Sequence, residues 1–327
     1  MTVRTPNRPI RTSARDGFII VAVLWILAAL AALATIYSIY IKNSALAVSL
    51  MDDELQAEAL VSASLELTAY QLADPKEAQR GIGAQRPPDA QRATEPQRPT
   101  RGQFGFRLGR ANVVVNYSSE AARIDLNAAP KALIAGLFAT LGASGDADRY
   151  ADRVIGWRET PKRADQADEA ALYRSSGLPY LPRGAPFAHV NELWLVQGPP
   201  PALVARALPF VTVYSGRPDI NVFDAPAELV AALPGMTPMR AASFLKERET
   251  APHDKDSLAR LLGPEQPGAT VDGSNAFRVK VSIAFHNGWR TGSEAVILLA
   301  GGDGPYQVMS WRSDGDADQP QLATTLR

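Results

Sequence analysis

An uncharged apolar run from Phe18 to Ile41, "FIIVAVLWILAALAALATIYSIYI", constrains this chain more than any other feature. Wound as a helix at about 1.5 Å per residue it reaches roughly 36 Å, enough to cross a bilayer core of about 30 Å. A basic leader, "MTVRTPNRPIRTSARDG", precedes it with Arg4, Arg8, Arg11 and Arg15, and Lys42 ends it. Cationic flanks stay on the cytoplasmic side, so the remainder of the chain is expected across the membrane. The run is too long for the core of a cleaved secretory signal, whereas a plain signal anchor has the same hydropathy.

Glycine stands directly against the apolar start. Arg15-Asp16-Gly17 followed by Phe18-Ile19-Ile20-Val21 resembles a type IV prepilin processing site. The resemblance implies cleavage after Gly17 by a membrane aspartyl peptidase, with Phe18 as the methylated first residue of the mature chain. The fifth mature position is then Ala22, where most subunits of this kind carry Glu. A carboxylate in hydrocarbon persists only with a partner, taken in these filaments to be the N-terminal ammonium of a neighbour. A subunit without it lacks that contact, which suits the end of a filament.

Composition excludes more than it assigns. The chain has 34 basic and 34 acidic side chains and no Cys. Zero net charge argues against a general polyanion binder. Without Cys there are no disulfides or thiolate metal sites, so the part beyond the membrane relies on its core, with a hard cation as the remaining option. About 220 residues beyond anchor and linker suffice for one or two cores.

The helical pattern continues past Lys42. Leu46, Leu50, Leu55, Leu60, Leu65, Leu67 and Leu72 recur at spacings compatible with one apolar stripe, and neither Pro nor Gly occurs from Phe18 to Ala73. One helix can therefore run through both parts. From Asp74 to Gln103 the chain turns to Pro, Gln and Arg with few apolar residues, which predicts a flexible linker. Short strand patterns follow at Phe104 to Leu108 and Val113 to Tyr117, then late in the chain from Phe277, Glu294 and Tyr306. Too few stand on either side to make two sheets. Pairing early with late strands in one antiparallel sheet against the long helix, with the intervening residues inserted, is the economical solution.

That intervening region repeats itself. "IDLNAAPKALIAGL" at Ile124 and "INVFDAPAELVAAL" at Ile220 align without gaps. Asn127 or Ala128 in one copy and Asp224 in the other precede a helix whose first turn accepts Pro130 or Pro226. A second pair, "NELWLVQG" at Asn191 and "DSLARLLG" at Asp256, begins with capping residues and closes on glycine. The first copy is longer by a Pro- and Gly-rich excursion between Pro161 and His189. Such units resemble helix-hairpin-helix, or SAM-like, modules, and "LPGMTPMRAASFL" from Leu233 resembles the hairpin that offers backbone N–H groups to DNA phosphate. Against nucleic acid stand seven acids to five bases between Asp219 and Gly263, and Thr237 where a second hairpin glycine is usual.

The glycine-bounded anchor, Ala22, "ARIDLNAAP", "DINVFDAP", "APFAHVNELWLVQG" and the closing strands, taken in order, resemble the general secretion pathway protein K family, the large minor pseudopilins of type II secretion. The resemblance implies an α+β fold in which a pilin-like long N-terminal helix packs on an antiparallel sheet interrupted by a large helical domain. It divides the chain into a leader 1–17, a transmembrane part 18–41, a soluble helical part 42–73, a linker 74–103, a sheet 104–119 and 276–313, an inserted domain 120–275 and a tail 314–327. It further implies a single pass through the inner membrane with a periplasmic C-terminal domain, processing by prepilin peptidase, and contact with minor pseudopilins of the I, J and H classes. Its role would be at the pseudopilus tip, priming assembly while folded proteins cross the outer membrane. A membrane-anchored helix-hairpin-helix protein that binds nucleic acid is the alternative.

Members of this class have been associated with calcium, which is the one cofactor the resemblance introduces. Asp165, Asp168 and Glu169 offer oxygens in an expected loop, but hard cations take six or more ligands and no such set is spaced here. No metal residue is assigned. Catalysis has little support either: His189, His253 and His286 lie far apart, and there is no nucleophile elbow or phosphate loop. Glu192 beside Trp194 reads as first-turn charge after an Asn191 cap rather than a pocket acid. The chain is expected not to be an enzyme.

Overall fold

A computed structural model describes residues 14–73, 98–160, 167–299 and 304–313, and of 14–19, 43–52 and 167–168 the backbone alone. The chain divides into two compact units, Met1–Ala59 and Leu60–Arg327. Helix α1, Ala14–Ala73, supplies the described part of the first unit and opens the second. It already includes Ala14, Arg15 and Asp16 ahead of Gly17, since nothing in those residues stops a helix. The leader before Ala14 and the tail after Ser313 lie outside the described residues.

The second unit is built on one five-stranded antiparallel sheet in the order β1-β2-β7-β8-β9. Its strands are β1 Arg101–Leu108, β2 Ala111–Ser119, β7 Ala276–Phe285, β8 Arg290–Leu299 and β9 Tyr306–Ser313. Early strand β2 lies beside late strand β7, with Ala111 opposite Phe285 and Ser119 opposite Phe277. Alternation sorts the faces: Val113, Val115, Val279, Val281, Ile283 and Ile297 point to one side and are buried. Leu60, Val61, Leu65, Ala69 and Leu72 of α1, spaced by three and four, form the buried stripe outside the helical core. Ser64 and Thr68, buried on the same helix, return their hydroxyls to the carbonyls of Leu60 and Ser64.

The expected linker is shorter than composition suggested. Arg101, Gly102 and Gln103 already belong to β1, opposite Ser118, Tyr117 and Asn116. A waiting partner strand satisfies their backbone, which composition does not register. Residues 74–97 of that expected linker lie outside the described residues.

Between β2 and β7 the chain forms a helical lobe of two related units. The first runs β3 Ile124–Asp125, α2 Lys131–Phe138, α3 Ala147–Arg158, α4 Ala167–Ser175, α5 Pro201–Ala207 and β4 Val211–Thr212. The second runs β5 Ile220–Asn221, α6 Ala227–Ala231, α7 Pro238–Glu247, α8 Lys255–Leu262 and β6 Ala269–Thr270. Each closes on itself by a two-residue parallel pairing, β3 with β4 and β5 with β6. The aligned repeats therefore occupy the same place in both units. Asp125 accepts from the N–H groups of Asn127 and Ala128, and its counterpart Asn221 accepts from that of Phe223. Arg158 at the end of α3 donates to the carbonyls of Leu126 and Ala129. Arg248 just beyond α7 donates to Val222 and Ala225, the equivalent carbonyls of the second copy.

Several local expectations change. No side chain caps α2 or α6; Pro130 and Pro226 themselves hold the N-cap positions. Asn127 instead exchanges two hydrogen bonds with the backbone of Phe187, and Asp224 lies 3.2 Å from Arg101. In the second pair of segments, the caps are His189 and Asp254, two residues earlier than Asn191 and Asp256, and the first segment is a 3₁₀ helix, Val190–Leu195. Thr237 takes the place of a hairpin glycine because it caps α7, accepting from the N–H of Arg240. The long excursion contains α4, and its Tyr173, Tyr180 and Phe187 gather around Trp157 at ring separations of 6.0, 6.4 and 6.2 Å. Burying aromatic surface outweighs its Pro and Gly content.

The two units meet at equivalent positions. A Cβ on Gly136 in α2 would lie 1.9 Å from the carbonyl oxygen of Ala232, the residue that aligns with it in the second copy. Backbone cannot yield as a side-chain tip does. Gly136→Ala is expected to destabilise the full chain by about 1–3 kcal/mol, read from urea unfolding, whereas Gly145→Ala, with nothing within 4 Å, leaves the midpoint unchanged.

Candidate functional site

At the membrane end the helix from Ile20 to Lys42 has a mean hydropathy of 2.5 over its most apolar window, none of it buried within the chain. Thr35, the hydroxyl-bearing residue mid-span, donates to Ala31 O and so carries no unmet donor into hydrocarbon. Tyr37 and Tyr40 are exposed near the Lys42 end, where aromatic residues suit the membrane–water boundary. Gly17 and Phe18 lie in the first turns of α1, and Ala22 presents only a methyl group on the span.

In the second unit, the most concentrated electrostatics lie where the chain leaves the sheet. Ser119 ends β2 and caps a 3₁₀ turn, Glu120–Ala122, and Glu120 is fully buried. Arg278 on β7 donates to both of its oxygens, Nε to Oε1 at 2.8 Å and Nη2 to Oε2 at 3.1 Å. Thr212 of β4 donates to Oε2, and Arg123 lies 3.2 Å from Oε1. One carboxylate thus joins the sheet, the turn and the closing pairing of the first helical unit. Arg278 also donates to Glu294 of β8, which Lys280 and Arg312 flank at 3.2 and 3.5 Å. Burial alone would lower the pKa of Arg278, but Glu120 and Glu294 raise it well above the usual guanidinium value. Burial pushes Arg123 down, and the neighbouring Arg278 adds to that.

Further bonds tie the second helical unit to the sheet. Arg101 of β1 reaches Asp224, while within the lobe Arg217 stands 3.0 Å from Asp219 and 3.4 Å from Asp272. Ser274 donates its N–H to Ser119 Oγ at 2.9 Å. Neither the repeats nor the strand patterns announced these pairs. Arg278 was visible only as a charge within an alternating strand.

The acids considered for calcium do not assemble. Glu169 lies in α4 rather than a loop and pairs with Arg153, while its Oε1 is buried without a hydrogen bond. Burial pushes its carboxyl up, against the pull of Arg153. A cation at this carboxylate would face a guanidinium, so the residues present do not fit one. Asp165 lies outside the described residues, and Asp168 is described by backbone only. Among the described residues no group of three or more His, Asp or Glu is arranged for a metal. His253 stacks on Phe223 at 4.7 Å and His189 accepts from the Asn191 N–H, both structural tasks. Glu192 is not merely first-turn charge: it accepts from Trp157 Nε1, Arg183 and the Ala188 N–H, pinning the excursion.

A family model described as type II secretion system protein K matches residues 111–216, from β2 through the closure of the first helical unit. That segment is similar to type II secretion system protein K over about a third of the chain. One chain of a solved structure, the GspK-GspI-GspJ complex from the type 2 secretion system of enterotoxigenic Escherichia coli, is 18% identical with a TM-score of 0.53. The similarity covers 81% of this chain and 98% of that one, and shows a shared α+β fold. No curated protein matches significantly. Neither comparison supports a nucleic-acid-binding reading.

Two outcomes follow from the junction. Glu120→Ala leaves Arg278 buried beside an empty space and is expected to cost about 3–5 kcal/mol in unfolding free energy. Burial opposes charge on Glu294, but Arg278 and then Lys280 hold its pKa below the usual 4.5. Such a group stabilises the fold above that value and loses its contribution as pH falls through the lower folded value. The melting temperature of the unaltered chain should therefore fall more steeply below pH 4.5 than that of Glu294→Gln.

Proposed function

We propose that this chain is the K-class minor pseudopilin of a type II secretion system, placed at the tip of the pseudopilus. The match of residues 111–216 to the type II secretion system protein K model carries this reading. A single N-terminal span, Ile20–Lys42, gives it the required anchor in the inner membrane, with the second unit in the periplasm. Cleavage after Gly17 would leave a mature chain that begins at Phe18 and has Ala22 where a carboxylate would contact the next N-terminus. The lobe between β2 and β7 is read as two SAM-like units, each an α-hairpin closed by a parallel strand pair.

The related complex holds proteins named GspK, GspI and GspJ, so the partners proposed here are minor pseudopilins of the I and J classes. The work assigned to the chain is assembly: it primes the pseudopilus that supports export of folded proteins across the outer membrane. Nothing in its geometry requires a reacting group.

N-terminal mass spectrometry of the protein from cells with and without prepilin peptidase tests the reading. The expected result is a methylated Phe18 terminus that depends on the peptidase, together with copurification of the I and J subunits. An intact Met1 terminus, or a cut elsewhere, in peptidase-positive cells would sink it.

A further inference from the structure

The sheet has a second face, and its residues are not those a merely solvated face requires. Directly opposed across the five strands lie Gln103, Asn116, Lys280, Glu294 and Arg312. Four residues along β1, Arg107 faces Asn112, which faces Ala284, which faces Arg290. At the other end Arg101, Ser118, Arg278, Val296 and Ser310 align. Side chains two residues apart on a strand share a face, so all of these point away from the buried face of Val113, Val115 and Val281.

Five exposed cations therefore share this face: Arg101, Arg107, Lys280, Arg290 and Arg312. Two carboxylates answer them, Glu294 within the face and Asp224 at its margin, while Arg278 is taken up by the buried Glu120. In a chain of zero net charge, an excess of three positive charges on one sheet face is a local asymmetry. The middle of the face is low, with Gly105, Val114, Ser282 and Gly292 in register, so the rim cations surround a flat floor.

We infer that this sheet face is a docking platform for an acidic protein surface. The face already shows its preference, since the anions that its Arg101, Arg278, Lys280 and Arg312 engage inside the fold are carboxylates. Nucleic-acid-binding sheets present aromatic rings for bases to stack on, and no aromatic residue stands in these rows. A membrane-surface site adds an apolar fringe to its charges, and here the exposed apolar residue is Val114. Five strands about 4.8 Å apart and six residues at about 3.4 Å give a patch of roughly 400 Å², about half of one partner's share in a stable interface. The platform therefore steers and aligns a partner and depends on salt. It rests on the sheet alone and stands independently of the secretion assignment.

The full chain in nonionic micelles, titrated into a fluorescent polyglutamate of about 20 residues, tests this by anisotropy. Binding is expected at about 0.02 M ionic strength and should weaken at least tenfold at about 0.3 M. Arg107→Glu with Arg290→Glu should weaken low-salt binding at least tenfold, and Arg149→Glu with Arg174→Glu, on the helical lobe, less than about twofold. Should the double reversal fail to fold, Arg107→Gln with Arg290→Gln gives the same comparison. Equal binding by the altered sheet, or none by the unaltered chain, overturns the platform. Tighter capture of a DNA duplex or of glycerol phosphate, lost with the same substitutions, would make it a phosphate surface and overturn the carboxylate partner. So would polyglutamate binding that appears only after removal of residues 314–327.

Discussion

A single buried carboxylate, Glu120, holds the second unit together. It stands at the residue where the chain abandons the sheet, and its two oxygens are taken by Arg278 from the sheet and Thr212 from the helical lobe. A charge removed from water is tolerated only when every lone pair finds a donor, and this geometry supplies four. The lobe is thereby held at a defined exit from β2, with Arg101–Asp224 and the Ser274–Ser119 bond giving it a second foothold. A pairing so dependent on geometry specifies one arrangement of lobe and sheet rather than adding much net stability.

Within the lobe the same economy appears twice. Each copy makes a short bridge, an Asx-type turn and a helix opened by proline, then brings an arginine back from a later helix to hold the turn's carbonyls. Gly136 against Ala232 lets the copies approach at matching positions, where any side chain would separate them. The difference between the copies is concentrated in one excursion, which the Trp157 cluster and Glu192 draw into the core. The two copies share one frame, and the first carries its extra bulk with the same closure as the second.

The chain combines an apolar N-terminal helix, a five-stranded antiparallel sheet and a bulky helical lobe. The lobe interrupts the sheet at the connection from β2 to β7 instead of extending it.

Much of this was legible in the residues. Hydropathy marked the span, period-two patterns marked β2, β7, β8 and β9, and the gapless alignment of Ile124 with Ile220 marked two units, because each signal depends on neighbours in sequence. The first residues of β1 were not legible, since Arg101-Gly102-Gln103 becomes a strand only by pairing with β2. Nor were the true caps at His189 and Asp254, the helix inside the excursion, or the ring of donors around Glu120. Those contacts join residues as far apart as Glu120 and Arg278, and a buried charge chooses its partner by proximity in space. The sequence alone determined where the chain is long and apolar enough to cross a membrane, that its lobe repeats, and which strand residues are apolar. Only the tertiary structure decided which carboxylate meets which guanidinium, because that depends on burial and register rather than on order along the chain.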